Sequence, residues 1–271
     1  MKRRPGAWIG GALLSVVVAM ALVSLVWTPY PPLGIDLTAK LLPPGMLHWL
    51  GTDEFGRDVL SRIMDAAATS LIVALLTVSF ALVVGVLLGL VAGFFRGIVD
   101  RILMILNDAL LAFPNILFAF GVLMIVGPSK YGIVTGLGPA YAPTVIRMVR
   151  GSVLSLRERP YIEASRVIGN STLRTLFCHV LPNCAAPILV LAASLFGWAI
   201  LAEGTLNFLG LGVPPPAPSW GNMLASGRPY MDRAPWLCLA PGLSFAITLF
   251  GVNMLGDELR DRLDPRKKGG P

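Results

Sequence analysis

The chain has 271 residues, of which 55% are hydrophobic and only 14% charged, with a net charge of +7. A soluble globular domain carries about a quarter charged residues, so a water-soluble class is the first reading this composition excludes. The charges are also clustered, and long stretches have none.

Taken in chain order, runs without Asp, Glu, Lys or Arg lie at residues 5–35, 66–95, 109–129, 131–146, 180–202 and 234–256. About 20 apolar residues cross a bilayer core as a helix. Five of the runs reach that length, and the reading is an all-α integral membrane protein with six transmembrane helices. Solid apolar runs favour helices over barrel strands, which alternate apolar and polar residues. The first run follows a basic start, Met1–Arg4, and Ala19-Met20-Ala21 resembles a signal cleavage site. Its apolar stretch continues through Leu25 and Trp27, too long for a signal core, so an uncleaved first helix is expected. The third helix is expected to begin earlier, near Ile98, with Asp108 one or two turns inside the membrane surface. The fourth run is short and interrupted by Gly136, Gly138, Pro139 and Pro143. It spans only if its helix starts near Gly138 and extends through Arg147 or Arg150, those arginines reaching the interface along their aliphatic stems.

With the N-terminus inside, 16 of the 22 basic residues fall in inside segments. These are Lys2, Arg3, Arg4, Arg96, Arg101, the arginines from Arg147 to Arg174, and Arg260, Arg262, Arg266, Lys267 and Lys268. Lys40, Arg57, Arg62, Lys130, Arg228 and Arg233 stay outside. Cytoplasmic loops carry this excess, which places both termini in the cytoplasm. The positive charge fits this bias and contact with anionic lipid. It does not call for nucleic acid, because no basic patch is interleaved with exposed aromatics. Three segments read as non-membrane structure: an external one at 28–65, an internal one at 151–181 and an external one at 205–233. The last contains Pro214-Pro215-Pro216, Pro218 and Trp220. The expected divisions are 1–65 for the first helix and external segment, 66–265 for the transmembrane domain with its loop at 151–183, and 266–271 for a basic tail. No internal repeat is evident.

Several chemistries lack their residues. Cys178, Cys184 and Cys238 match no zinc spacing and read as small apolar residues. The two histidines, His48 and His179, have no carboxylate and nucleophile nearby in sequence to suggest a triad. No glycine-rich phosphate loop ends in Lys-Ser or Lys-Thr, so this chain is not expected to be an enzyme that hydrolyses ATP. Ion-coupled transporters place ionisable residues at mid-membrane. Here only Asp108 and Glu203 fall within expected spans, both near ends, so energy must enter through a partner.

In the external segment, Asp53, Glu54, Arg57, Asp58 and Arg62 form a mixed-charge patch, with Asp58 and Arg62 at i, i+4. It reads either as a self-satisfied ion cluster fixing an external lid or as a docking contact. The internal segment 160–182 is the most informative. Pro160 suits a first helical turn. Tyr161, Ala164, Ser165 and Ile168 share one expected face, and Glu163, Arg166 and Asn170 another. Gly169 is a natural stop, and Asn170 or Ser171 caps a second helix. In that helix Leu173, Leu176, Phe177 and Val180 recur at helical spacing, and Pro182 marks the entry to the fifth span. The expectation is a short helix, a sharp bend and an amphipathic helix on the membrane surface. That shape is either an ordinary interfacial pair or a rigid knob gripped by a partner groove.

Glu163-Ala164-Ser165-x-x-x-Gly169 followed by His179-x-Leu181-Pro182-Asn183 resembles the "EAA" loop of bacterial ABC importer permeases. Ser165 stands where that pattern has a second alanine. Gly51-Thr52-Asp53-Glu54-Phe55-Gly56-Arg57-Asp58 is similar to the external signature of the dipeptide/oligopeptide/nickel permeases. Phe208-Leu209-Gly210-Leu211-Gly212 with Pro218-Ser219-Trp220-Gly221 resembles their last external loop, and residues 256–265 resemble their C-terminal ending. The resemblance is to the "C"-type permease of the pair. It implies the type I ABC importer permease class with a cytoplasmic coupling helix. It implies a bacterial inner-membrane subunit working with a second homologous permease, two ATPase subunits and an external solute-binding protein. ATP and magnesium would be bound by the ATPases, with no cofactor or metal in this chain. It assigns Glu163, Ala164, Ser165 and Gly169 to the ATPase contact. Asp53, Glu54, Arg57, Asp58 and Trp220 are the candidate contacts for the binding protein. The expected cargo is a dipeptide or oligopeptide, with nickel or another metal chelate or an opine as the alternative. An ion-coupled secondary transporter and a membrane scaffold are the readings from other classes.

Overall fold

The structure, a computed structural model, describes residues 5–263, without the side chains of Pro5 and Arg166. Lys2, Arg3, Arg4, Arg266, Lys267 and Lys268, the expected tail 266–271 and the Asp264-Pro265 end of the last motif lie outside the described residues. Ten α-helices follow in order: α1 (Pro5–Ser24), α2 (Val59–Phe95), α3 (Gly97–Leu111), α4 (Asn115–Val126), α5 (Lys130–Leu156), α6 (Pro160–Val167), α7 (Thr172–Thr175), α8 (Leu181–Phe208), α9 (Trp220–Gly227) and α10 (Trp236–Leu263). Among the described residues there is no strand, only an isolated bridge between Thr52 and Asp58.

Among the described residues four helical stretches are long and apolar enough to cross a membrane: Gly6–Ser24, Val59–Phe95, Thr172–Phe208 and Trp236–Leu263. A fifth is added if α3 and α4 count as one span. Those two helices meet at 89° across Ala112–Pro114, so the third expected span is broken rather than continuous. Pro114 lacks the N–H that would continue α3 and sits at the N-cap of α4. The fourth expected span corresponds to α5, 27 residues long. It starts at Lys130, not near Gly138. Ser129 caps it by accepting the Gly132 N–H, and the helix runs on through Pro139 and Pro143.

The core interface joins α2 to α5. Gly85, Gly89 and Gly93, one per turn of α2, lie against Val145, Val149 and Val153 of α5. A methyl group on Gly89 would come within 2.8 Å of Val149 Cβ and 2.9 Å of the Ile146 carbonyl oxygen. In lipid no hydrophobic force draws helices together, so close backbone approach through small residues supplies the packing. At the opposite end of α5, Gly136 receives Ala119 of α4. α1 lies on α10, with Gly10 against Gly251.

Arg147 and Arg150 do not simply reach for the interface. Arg147 Nη2 bonds Asp108 Oδ1 at 2.6 Å, and Arg150 grips Asp100 with two nitrogens. Asp100 and Asp108 are eight residues apart on α3, whereas their partners are three apart on α5.

Candidate coupling knob and the segment at the opposite end

The knob is built from α6, the turn at 168–171, α7 and a π-turn at Leu176–Val180 that leads into α8. Pro160 opens α6, and the Arg159 carbonyl accepts the Ile162 and Glu163 amides. Ile162 and Ser165 face inward. Ser165 is a clasp. Its hydroxyl lies 3.2 Å from Thr175 Oγ1 and accepts from Asn170 Nδ2 at 3.0 Å, while its carbonyl accepts the Asn170 amide. Gly169 ends the helix at φ +86°, where a side chain would be strained although the space around it is open. Ser171 caps α7 by accepting the Arg174 amide.

Two expectations for this loop are corrected. Tyr161 and Ile168 do not share a face with Ser165: both point outward, and Ile162 takes the inward place. The helix after the bend is not a separate surface helix. It feeds through the π-turn into α8, so that 172–208 is one continuous apolar rod. Leu176 and Val180 pack inward, while Leu173 and Phe177 are exposed. Of the four residues expected to meet an ATPase, Glu163, Ala164 and Gly169 are exposed and Ser165 is buried. The outer surface is apolar, with Val167 88% and Ile168 80% exposed beside Leu173 and Phe177. Glu163 makes no ion pair among the described residues. Such an exposed apolar surface, with Glu163 and Arg174 as exposed charges, suits docking into another protein.

At the opposite end, residues 28–58 fold onto the start of α2. Asp53 accepts the Phe55 and Arg57 amides, each at 2.9 Å, and pairs with Arg57 Nε at 2.6 Å. Arg62 points to Asp53 at 3.5 Å, not to Asp58 as the i, i+4 spacing suggested. Asp58 is otherwise engaged: it caps α2 through the Ser61 amide and hydroxyl and meets His48 Nδ1 at 2.9 Å. Burial raises the Glu54 carboxyl above its usual range. The Thr38 hydroxyl and amide lower that of Asp36. Gly56, at φ +73°, leaves no room for a side chain against the Asp36 carbonyl. Trp220 is fully buried, its indole N–H donating to the Ile63 carbonyl and its ring edge-on to Phe245. Asp53, Arg57, Asp58 and Trp220 are therefore enclosed by this chain's own residues, while Glu54 is half-buried.

A polar cluster that sequence reasoning passed over joins these parts. Glu203 on α8 is fully buried, and its Oε1 accepts from Ser70 of α2 and from Asn207 Nδ2. Asn207 Oδ1 in turn accepts the Val213 amide at 2.6 Å. The end of α8, the glycine-rich turn after it and α2 are tied through one carboxyl and one amide.

The chain matches the family model described as "Binding-protein-dependent transport system inner membrane component" over residues 85–269. It belongs to that family. The di/tripeptide transport system permease protein DppC of Pseudomonas aeruginosa is 41% identical over 267 residues, covering 96% of this chain and 88% of that protein. The dipeptide transport system permease protein DppC of Alkalihalophilus pseudofirmus is 39% identical over 268 residues, covering 99% and 88%. The permease also superposes on a chain of the inward-facing MetNI methionine ABC transporter with a TM-score of 0.60. That match covers 75% of this chain and 96% of the other at 17% identity, a likeness of fold alone. The chain is thus the permease subunit of an ABC importer.

Proposed function

We propose that the permease imports short peptides, dipeptides foremost, and that its knob receives one of two ATPase subunits. The observation that carries the coupling role is the exposed apolar surface at Tyr161–Phe177, clasped from within by Ser165 and continuous with α8. Docking there lets a movement of the ATPase enter the membrane through a rigid rod. Glu163, Ala164 and Gly169 form the contact, and Ser165 holds its shape. The peptide reading is supported by the names of the relatives in Pseudomonas and Alkalihalophilus.

In this reading the machine contains a second, homologous permease, two ATPases that bind ATP and magnesium, and an external solute-binding protein. Both termini are cytoplasmic and six spans cross the membrane, α5 being one of them. The segment 28–58 lies outside. There Asp53, Arg57, Asp58 and Trp220 set the shape of the segment, while the exposed Asp36, Lys40 and Phe55 meet the binding protein.

Reconstitution in liposomes with each component omitted in turn tests this. Peptide uptake is expected only when both permeases and both ATPases are present, and at full rate only with the binding protein. Accumulation by this chain alone, driven by a proton or sodium gradient, overturns the reading.

A further inference from the structure

Residues 41–50 form a tip without a single Asp, Glu, Lys or Arg. It is held firmly. Gly45 and Gly51 both donate to the His48 carbonyl, Thr52 pairs with Leu42, and Tyr30 Oη donates to the Leu47 carbonyl. The Trp236 indole N–H, at the start of α10, donates to the Thr52 carbonyl. Yet Met46 is 97%, Leu47 75% and Trp49 70% exposed. This fixed backbone thus holds three large apolar side chains outward.

What lies beside the tip suggests what covers it. Pro44 and Leu50 line an open apolar groove of about 490 Å³ whose other wall is α10, including Trp236, Leu239, Leu243 and Ile247. Leu239 and Leu243 are exposed on a helix long and apolar enough to cross the membrane. From Trp236 to Ile247 the groove follows α10 for about 17 Å at 1.5 Å per residue. That is about half of a 30 Å hydrocarbon core, the depth of one leaflet. The tip is therefore continuous with a membrane-facing surface, and it carries an exposed tryptophan, a residue enriched at membrane–water interfaces. The neighbouring stretch differs in carrying charge: exposed Asp36, Thr38 and Lys40 alternate there with exposed Ile35 and Leu37.

We propose that the tip docks on a phospholipid of the adjacent leaflet, lying at headgroup level, with the acyl chain running along α10 in the groove. The contact steadies the segment that Asp53 and Asp58 fold onto α2.

The test uses the assembled transporter in nanodiscs. Cys178 is exposed, whereas Cys184 and Cys238 are buried, so Cys178→Ser in this chain, with partner subunits freed of exposed cysteines, gives a clean background. Met46→Cys, or Trp49→Cys should the first fail to assemble, is labelled with bimane, as are Leu239→Cys and the control Lys40→Cys. Quenchers are lipids with a nitroxide at a shallow or a deep acyl position, and aqueous iodide. At the tip, the shallow nitroxide is expected to quench about twofold more than the deep one, and iodide less than at position 40, as for groups at headgroup depth. At position 239 the deep nitroxide is expected to dominate. Iodide quenching at the tip equal to that at position 40, without lipid quenching, places it in water, open to an external protein, and overturns the proposal. Protection from all quenchers at the tip or at position 239 means that another protein chain covers the surface, and overturns it equally.

Discussion

Val149 of α5 occupies the space that a side chain on Gly89 of α2 would need, with the Ile146 carbonyl closing the same gap from the other side. Gly85 and Gly93 repeat the arrangement one turn away in each direction. Gly89→Leu is therefore expected to break the α2–α5 contact, and Gly89→Ala to cost about 1–3 kcal/mol through overpacking. Thermal unfolding in detergent checks this. Val149→Ala should restore only a small part of the loss in the double variant, because it removes Val149 Cγ1 but leaves Val149 Cβ and the Ile146 carbonyl, the two nearer atoms.

At the knob, Gly169 has open space around it but a backbone that disfavours any L side chain, by about 1–3 kcal/mol. Gly169→Leu is expected to abolish uptake with normal membrane insertion, and Gly169→Asn to retain part of it, since Asn tolerates this conformation. Glu163→Lys should abolish uptake without affecting thermal stability, because Glu163 is exposed. Uptake at the wild-type rate in either Gly169→Leu or Glu163→Lys removes the coupling role.

Glu203 is predicted to act through its acceptor oxygen. Glu203→Gln keeps an oxygen for Ser70 and Asn207 and should retain most stability. Glu203→Leu strands the buried donors on those residues, at a cost of about 1–3 kcal/mol. Unfolding temperatures of the two variants decide, and equal values sink the idea.

The external segment should respond to pH through Glu54. Burial raises its carboxyl, so the folded segment holds that proton more tightly than the unfolded chain. Stability contributed there is lost as pH rises above the ordinary carboxylate range, and the cost is fully present at neutral pH. Glu54→Gln is expected to raise the unfolding temperature at pH 7 and to leave it unchanged below about pH 3, where Glu54 is protonated in both states. The lowered Asp36 works the other way, stabilising above its usual range and losing that as pH falls. It is common to both proteins and cancels from the comparison.

Much of this was legible from charge-free runs, because lipid forces the backbone to satisfy itself in helices. The knob's stop at Gly169 and cap at Ser171 were readable from local chemistry. The start of α5 was misplaced because Pro139 and Pro143 outweighed Ser129, the residue that caps it. Gly85, Gly89 and Gly93 stood in plain view at four-residue spacing, yet nothing in the chain names Val145, Val149 and Val153 as their partners. The Asp58–Arg62 pairing failed for a different reason. Asp58 had nearer claims from Ser61 and His48, and a spacing rule for helix surfaces does not apply to a residue that is itself the cap.

The unbroken stretch Thr172–Phe208 has a mechanical meaning. At 1.5 Å per residue its 37 residues make a shaft of about 55 Å. Tilting a shaft of that length by about 5° carries one tip about 5 Å sideways, close to the pitch of a helical turn. Glu203 and Asn207 sit near the far tip, tied to Ser70 and to the Val213 amide, so a push at Thr175 arrives there as leverage.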